Sequence, residues 1–218
     1  MPDRMAEYAP GVYLLLPEKI RQTNNQLINR VNIMENAERK KLLDSGGVAE
    51  YLELLTTQIL EEFSADEMQD VAFIGLQTSG VPLVRRLVRK IQERIHVEPE
   101  YGTLDISMYR DDIGTRKTLP LIRETEIPFD INGKVIVLTD GVIQTGRSIR
   151  AALDALTDFG RPGKIRLAVL VDRGLREFPI SPDYAGVHLD VAPDKRITVV
   201  WHEFNEEDDA VYEVPRKK

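Results

Sequence analysis

The chain has 218 residues, enough to bury a full core as one domain with a modest extension and too few for two large domains. Its 29 basic and 36 acidic residues leave a net charge of -7, which excludes general attraction to a nucleic-acid backbone and leaves RNA or DNA only a local basic patch. Cysteine is absent, so disulfides, thiolate chemistry and cysteine-held metals are excluded. The apolar run Val12 to Leu16 is far shorter than a signal-peptide core or a membrane span. A soluble, cytoplasmic protein without membrane contact is the expectation.

Residues 1–65 read as an N-terminal strand and helical extension. A short strand-like run precedes a polar stretch in which Ile20, Leu27, Val31 and Met34 have helical spacing. "DSGGV" at 44 to 48 breaks that pattern, and a second helix resumes it with Leu52, Leu55, Ile59 and Phe63.

Residues 66–218 read as one α/β domain. "VAFIG" from residue 71 is a continuous apolar run, as in a strand buried on both faces, and "LQTSG" is a loop. Val81 to Ile95 predicts a helix with Pro82 in its first turn, where the missing N–H costs nothing. "TLDISMY" alternates like a strand, and "RDDIGTRKTLPLIRETEIP" predicts a long mobile loop.

"KVIVLTD" predicts the next strand, followed by a helix with the apolar face Ile149, Ala152, Leu153 and Leu156, and "KIRLAVLVD" predicts another. Strand, crossover helix and strand in that order imply a mostly parallel, Rossmann-like sheet with ligand at the carboxyl ends of its strands. Near the end, "ITVVWHEF" reads as an apolar strand with Trp201 in the core, and Glu206 to Asp209 as a solvated turn. His96, His188 and His202 show no metal-ligand spacing and read as surface or cap residues.

The chemistry concentrates in "VLTDGVIQTGRS", residues 137 to 148. Successive N–H groups in a tight turn that enters a helix form a concave phosphate site, reinforced by the helix dipole. Thr145 and Ser148 offer hydroxyls, Gly146 admits close backbone approach, and Arg147 adds charge. The plain alternative is a Thr/Gly turn with a Ser cap; the preceding acid-tipped strand and the following helix favour phosphate. No G-x-G-x-x-G or P-loop signature is present.

"VIVLTDGVIQTGRSIRAAL", with "GLQTSG" at 75 to 80, "LDISMYRDD" at 104 to 112 and "VDRGLREFPISPDYAG" at 171 to 186, resembles the type I phosphoribosyltransferases. Within them it is most similar to the PyrR group, pyrimidine operon attenuators that are also uracil phosphoribosyltransferases. The resemblance covers roughly residues 70 to 190 and implies that family's fold. It also implies transfer of ribose 5-phosphate from phosphoribosyl pyrophosphate (PRPP) to a pyrimidine, uracil giving UMP, with Mg2+ carried mainly by the substrate.

Carried over residue by residue, the resemblance puts the 5-phosphate on Gln144, Thr145, Gly146, Arg147 and Ser148. Pyrophosphate falls on Gln77, Thr78, Ser79 and Gly80. Asp140 holds the ribose, Arg110 lies at the base of a closing loop, and Asp172 and Arg173 lie on the base and metal side, with Asp140 and Asp172 as candidate metal neighbours. Catalysis in such a site is positioning and charge stabilisation, with no side-chain nucleophile. Homodimers or larger homo-oligomers are implied, as is an RNA partner.

The chain departs from the family at several of these positions. An acidic pair becomes Asp140-Gly141, removing a charged hydrogen bond of roughly 1.5 to 3 kcal/mol, and Gly141→Asp is expected to raise PRPP affinity. Gln77 and Ser79 stand where PyrR-like proteins carry basic residues. Gln144 stands where purine-specific relatives carry a carboxylate base, and its amide cannot take a proton. Leu175, Ser181 and Val187 thin the basic RNA face, leaving Arg176.

Three readings follow: a PyrR-type enzyme, a nucleotide- or PRPP-binding regulator that has lost turnover, and a protein-interaction module in which residues 1–65 supply a subunit or partner contact.

Overall fold

The computed structural model describes residues 39–112 and 122–216; the strand-like run and helix expected before residue 39, and the middle of the loop after Arg110, lie outside them. A five-stranded sheet carries the fold. Its strands are β2 (Val71–Leu76), β3 (Glu100–Leu104), β4 (Val135–Ile143), β5 (Lys164–Asp172) and β6 (Tyr184–His188), in spatial order β3-β2-β4-β5-β6. All four pairings are parallel. The polarity-blind runs in β2 and β5 have a direct cause, because both faces of the sheet are covered.

Alternate residues of each strand point to opposite faces. Phe73, Val137, Ala168 and Leu170 join one buried cluster with α1 (Ser45–Glu62) and α2 (Gly80–Ile95). Ala72, Ile74, Ile136, Leu138, Leu167 and Val169 join another with α3 (Arg147–Leu156). The predicted stripe of α3 is buried at Ile149, Ala152 and Leu156, with Leu153 partly covered. Each fully buried Leu, Ile or Phe contributes roughly 1.5–3 kcal/mol.

One compact unit runs from Lys41 to Arg216 and includes α1 with the sheet. Val48, Leu52, Leu55 and Ile59 of α1 are buried against α2 and the sheet, so this helix cannot be removed without opening the core. "DSGGV" is the start of α1, because Asp44 caps it by accepting from Gly47 N at 2.9 Å.

"TLDISMY" is also shorter as a strand than expected, ending at Leu104. The Asp105 carboxylate accepts from Ser107 N at 2.6 Å and from Arg123 N, pulling the chain into a turn. Burial pushes Asp105 up, but those hydrogen bonds outweigh it and hold the carboxyl below its usual range. The return limb of the loop is tied to the sheet edge by paired bonds between Thr103 and Glu126.

A second sheet of three strands is made from β1 (Lys40–Leu43), β8 (Ala210–Pro215) and β7 (Lys195–Val200), in the order β1-β8-β7. Ile197, Trp201 and Val211 from this part of the chain enter the cluster formed with α1 and α2. Sequence periodicity foresees an apolar strand near Trp201; the strand itself ends at Val200, and Trp201 is buried as expected.

Candidate active site

Adjacent loops leave the carboxyl ends of β2 and β4, where the sheet order turns back on itself, the usual ligand position in such sheets. Gly146, at φ +88°, makes the turn into α3; most other residues would be strained in this left-handed conformation. Gly146 O accepts from Arg150 N at 2.9 Å, opening the helix. The N-terminal N–H groups of α3 and the hydroxyls of Thr145 and Ser148 thus gather at one helix start, as the sequence predicts.

The charges at this loop have partners. Arg147 is held by Glu177 (Nε to Oε2, 2.7 Å) and by Asp111 (Nη1 to Oδ2, 2.5 Å). Arg110 forks onto Asp112 with two 2.9 Å bonds and donates to Ser148 Oγ at 3.1 Å. Arg110 and the acids of "YRDD" therefore sit against the 144–148 loop.

Asp140 lies in β4, one residue inside Gly141; the strand continues to Ile143 rather than ending at the acid. Its Oδ1 accepts from Ser79 Oγ at 2.6 Å and from Gly141 N at 2.7 Å. Desolvation pushes the carboxyl up to about 6, against the downward pull of those two donors and of Arg110. A Cβ added to Gly141 would stand 2.8 Å from Ser79 Cβ, so an aspartate there does not fit beside Ser79 as the chain is built. The gain in PRPP affinity expected from Gly141→Asp therefore requires Ser79 to move aside.

Asp172 ends the neighbouring strand β5 but is engaged elsewhere. Its Oδ2 takes Arg176 Nη2 at 2.7 Å and its Oδ1 takes Gly174 N at 2.8 Å. Arg176 also donates to the carbonyls of Gln144 (2.9 Å) and Ile180 (2.7 Å), bracing the phosphate loop from behind. It points inward, which thins the basic face further. Arg173, expected on the base side, is 2% exposed and donates to the carbonyls of Ala192 and Lys195. It is not among the residues lining the two cavities that follow.

Two cavities share Gln144, Thr145 and Ser148. The first, about 260 Å³, runs from Asp140 past the phosphate loop to Arg196 and Ile197 of β7. The second, about 550 Å³, is walled by Arg110, Asp111, Asp112, Arg147, Glu177 and Arg216. Arg196, Ile197, Glu177 and Arg216 escape sequence reasoning. The only signal was the strand-like run after Arg196, and it does not reveal that β7 passes over the end of β4.

The residues 39–202 match the family model described as phosphoribosyl transferase domain. The chain belongs to the phosphoribosyltransferase family. It is 43% identical over 173 residues to the bifunctional protein PyrR of Roseiflexus sp. (strain RS-1), covering 79% of this chain and 93% of that one. It is 44% identical over 170 residues to bifunctional protein PyrR of Akkermansia muciniphila, covering 78% and 93%. A crystal structure of a hypoxanthine-guanine phosphoribosyltransferase from Bacillus anthracis covers 81% of this chain and 98% of its own, at TM-score 0.61 and 16% identity, a likeness of fold. The sequence-based resemblance to PyrR-like phosphoribosyltransferases and the α/β fold it implied are both upheld.

In this member of the phosphoribosyltransferase family the loop after β2, residues 77–80, is anchored by Trp201, just after β7. Trp201 Nε1 donates to Ser79 O at 3.0 Å, and Arg86 lies 4.7 Å over the indole. Arg86 is gripped by Glu203 (2.8 Å) and Asp209 (2.5 Å), so Asp209 is not part of a solvated turn. His202, Glu203 and Asp209 come within 4.8 Å of one another, a grouping their sequence spacing hid. Arg86 donates toward His202 Nδ1 at 2.9 Å as well, so a guanidinium already supplies the positive charge of that cluster. Gln77 turns its amide to Glu124 O at 3.1 Å. Among the described residues no helix is long and apolar enough to cross a membrane.

Proposed function

We propose that the protein transfers ribose 5-phosphate from the magnesium complex of PRPP to a pyrimidine base, uracil giving UMP. One observation carries the reading: a helix start and a carboxylate line the same cavity, Thr145, Gly146 and Ser148 at one end and Asp140 at the other. The 5-phosphate is received by the loop and a ribose hydroxyl donates to Asp140. The C1–O bond to pyrophosphate breaks, a base nitrogen forms the new bond to C1, and the nitrogen's proton leaves to solvent. Positioning and dipoles suffice for this chemistry.

The acids fit a metal that arrives with substrate. Asp140 has one oxygen beyond the two bonds on Oδ1, whereas Asp172 is engaged by Arg176 and Gly174 N. Magnesium bound with the substrate beside Asp140 would supply positive charge to the leaving pyrophosphate; the protein's Asp140 orients the sugar. Gln144 at the cavity wall favours a pyrimidine over a purine that needs an acidic partner.

The two bonds that hold Asp140 and the acids on Arg147 favour a second reading, a PRPP- or nucleotide-sensing regulator with weak turnover. Pyrophosphate release from PRPP and magnesium, with uracil and a panel of bases, separates them. Uracil-dependent release supports the enzyme. UMP or PRPP binding by calorimetry without release supports the regulator, and absence of both overturns each.

A further inference from the structure

Gly141, where the family's acidic pair is broken, and Ser79, where a basic side chain is replaced, are neighbours in space. A Cβ on Gly141 would lie 2.8 Å from Ser79 Cβ, 3.0 Å from Ser79 Oγ and 3.4 Å from Val199 Cγ2. Ser79 has little room to retreat. Its carbonyl accepts from Trp201 Nε1 at 3.0 Å, and the next carbonyl, Gly80 O, accepts from Thr139 Oγ1 at 3.0 Å. Its hydroxyl has a direction as well: Gly141 N approaches Oγ at 3.3 Å, and Oγ donates to Asp140 Oδ1 at 2.6 Å.

We infer that Ser79 is the positioning residue for Asp140 and that Gly141 is its required complement, the two forming one unit in which the serine occupies the space a side chain at 141 would need. The Ser79 hydroxyl and Gly141 N both fall on Oδ1. They set the plane of the carboxylate and leave Oδ2 to accept from a vicinal diol. A lone carboxylate would otherwise rotate about two side-chain bonds, and ordering it would cost binding free energy. The two departures thus count as one change, and the site addresses a ribose with a Ser–Asp couple. For its ligand this inference rests on the phosphoribosyl reading; for its geometry it does not.

The experiment has ligand-free and ligand-bound arms on the full chain. In urea unfolding, Gly141→Ala should lower the midpoint, and most of that loss should be recovered when Ser79→Gly is added; strictly additive effects overturn the pairing. Ser79→Ala, which keeps the packing and removes the hydroxyl, should displace the Asp140 carboxyl ¹³C resonance, and an unmoved resonance overturns the positioning. The same variant should weaken ribose 5-phosphate by up to about tenfold, because the ligand must then order a carboxylate that nothing holds from that side. Inorganic phosphate, which needs only the 145–148 loop, should stay within about twofold. Equal losses for both ligands mark a merely structural role and overturn it. If the natural protein binds neither ribose 5-phosphate nor PRPP, the functional reading fails, and the two ligand-free measurements still decide for or against the Ser79–Gly141 unit.

Discussion

Asp140 and Asp172 both lie near the carboxyl ends of adjacent parallel strands, Asp140 opposite Val169 and Asp172 opposite Ile143, yet the fold treats them in opposite ways. Asp140 meets a hydroxyl and an amide, both neutral, and desolvation pushes it up to about 6. Asp172 is buried beside a guanidinium, with Arg176 at 2.7 Å, and its second oxygen accepts Gly174 N. A carboxylate with a cation beside it is structural; one held by neutral donors keeps an oxygen and a charge for a ligand. The contrast shows that an acid at a strand's carboxyl end becomes a site residue only through what its neighbours leave unpaired.

The contrast breaks most visibly through Arg176. Replacing it in Arg176→Met should cost about 3–4 kcal/mol in urea unfolding at neutral pH, because Asp172 is left buried without its counter-charge. A loss under about 1 kcal/mol would mean that Asp172 tolerates isolation and is available to ligand after all.

Asp140→Asn should act in the other direction on stability. Because the folded carboxyl titrates near 6, above its ordinary 3.8, the folded state takes up the proton first. Its contribution to stability is therefore greatest below about pH 4 and is lost as pH rises through about 6. The asparagine variant should be more stable than the natural protein by about 2 kcal/mol at pH 7.5 and unchanged near pH 4, while ribose 5-phosphate binding drops about tenfold. A stability difference independent of pH contradicts the assignment.

Gly146→Ala tests the part that both readings of function share. The left-handed φ of +88° and a Cβ 3.2 Å from Phe178 Cβ should cost about 1–2 kcal/mol of stability and most of the affinity for inorganic phosphate. Unchanged phosphate affinity would remove the loop from the site. The smallest expected effect is at Glu177. Glu177→Gln frees Arg147 from one of its two acids, and phosphate affinity should rise about threefold at low salt and less at high salt.

The central strands could be read directly because each is covered on both faces, which makes its apolar run continuous; the predicted bounds of "KIRLAVLVD" are those of β5. The TGRS turn into α3 could be read because a glycine turn and a helix start are local. The length of β3 could not, because Asp105 reaches across to Arg123 to end it. The place of α1 in the core was hidden too: an apolar stripe declares that a helix is buried, without declaring against what. Arg176 looked like a surface cation until its partners, Asp172, Gln144 and Ile180, were assembled around it.

By itself, the sequence determined the α/β class, the glycine turn into α3, the family resemblance and the two departures at Ser79 and Gly141, since periodicity, glycine and short motifs are properties of neighbouring residues. Tertiary structure alone decided that Asp172 takes a cation and Asp140 neutral donors, that β7 places Arg196 and Ile197 over the cavity, and that residues 79 and 141 share one space. Hydrogen bonds, desolvation and excluded volume act over a few ångströms, and the groups they join here lie some sixty residues apart along the chain.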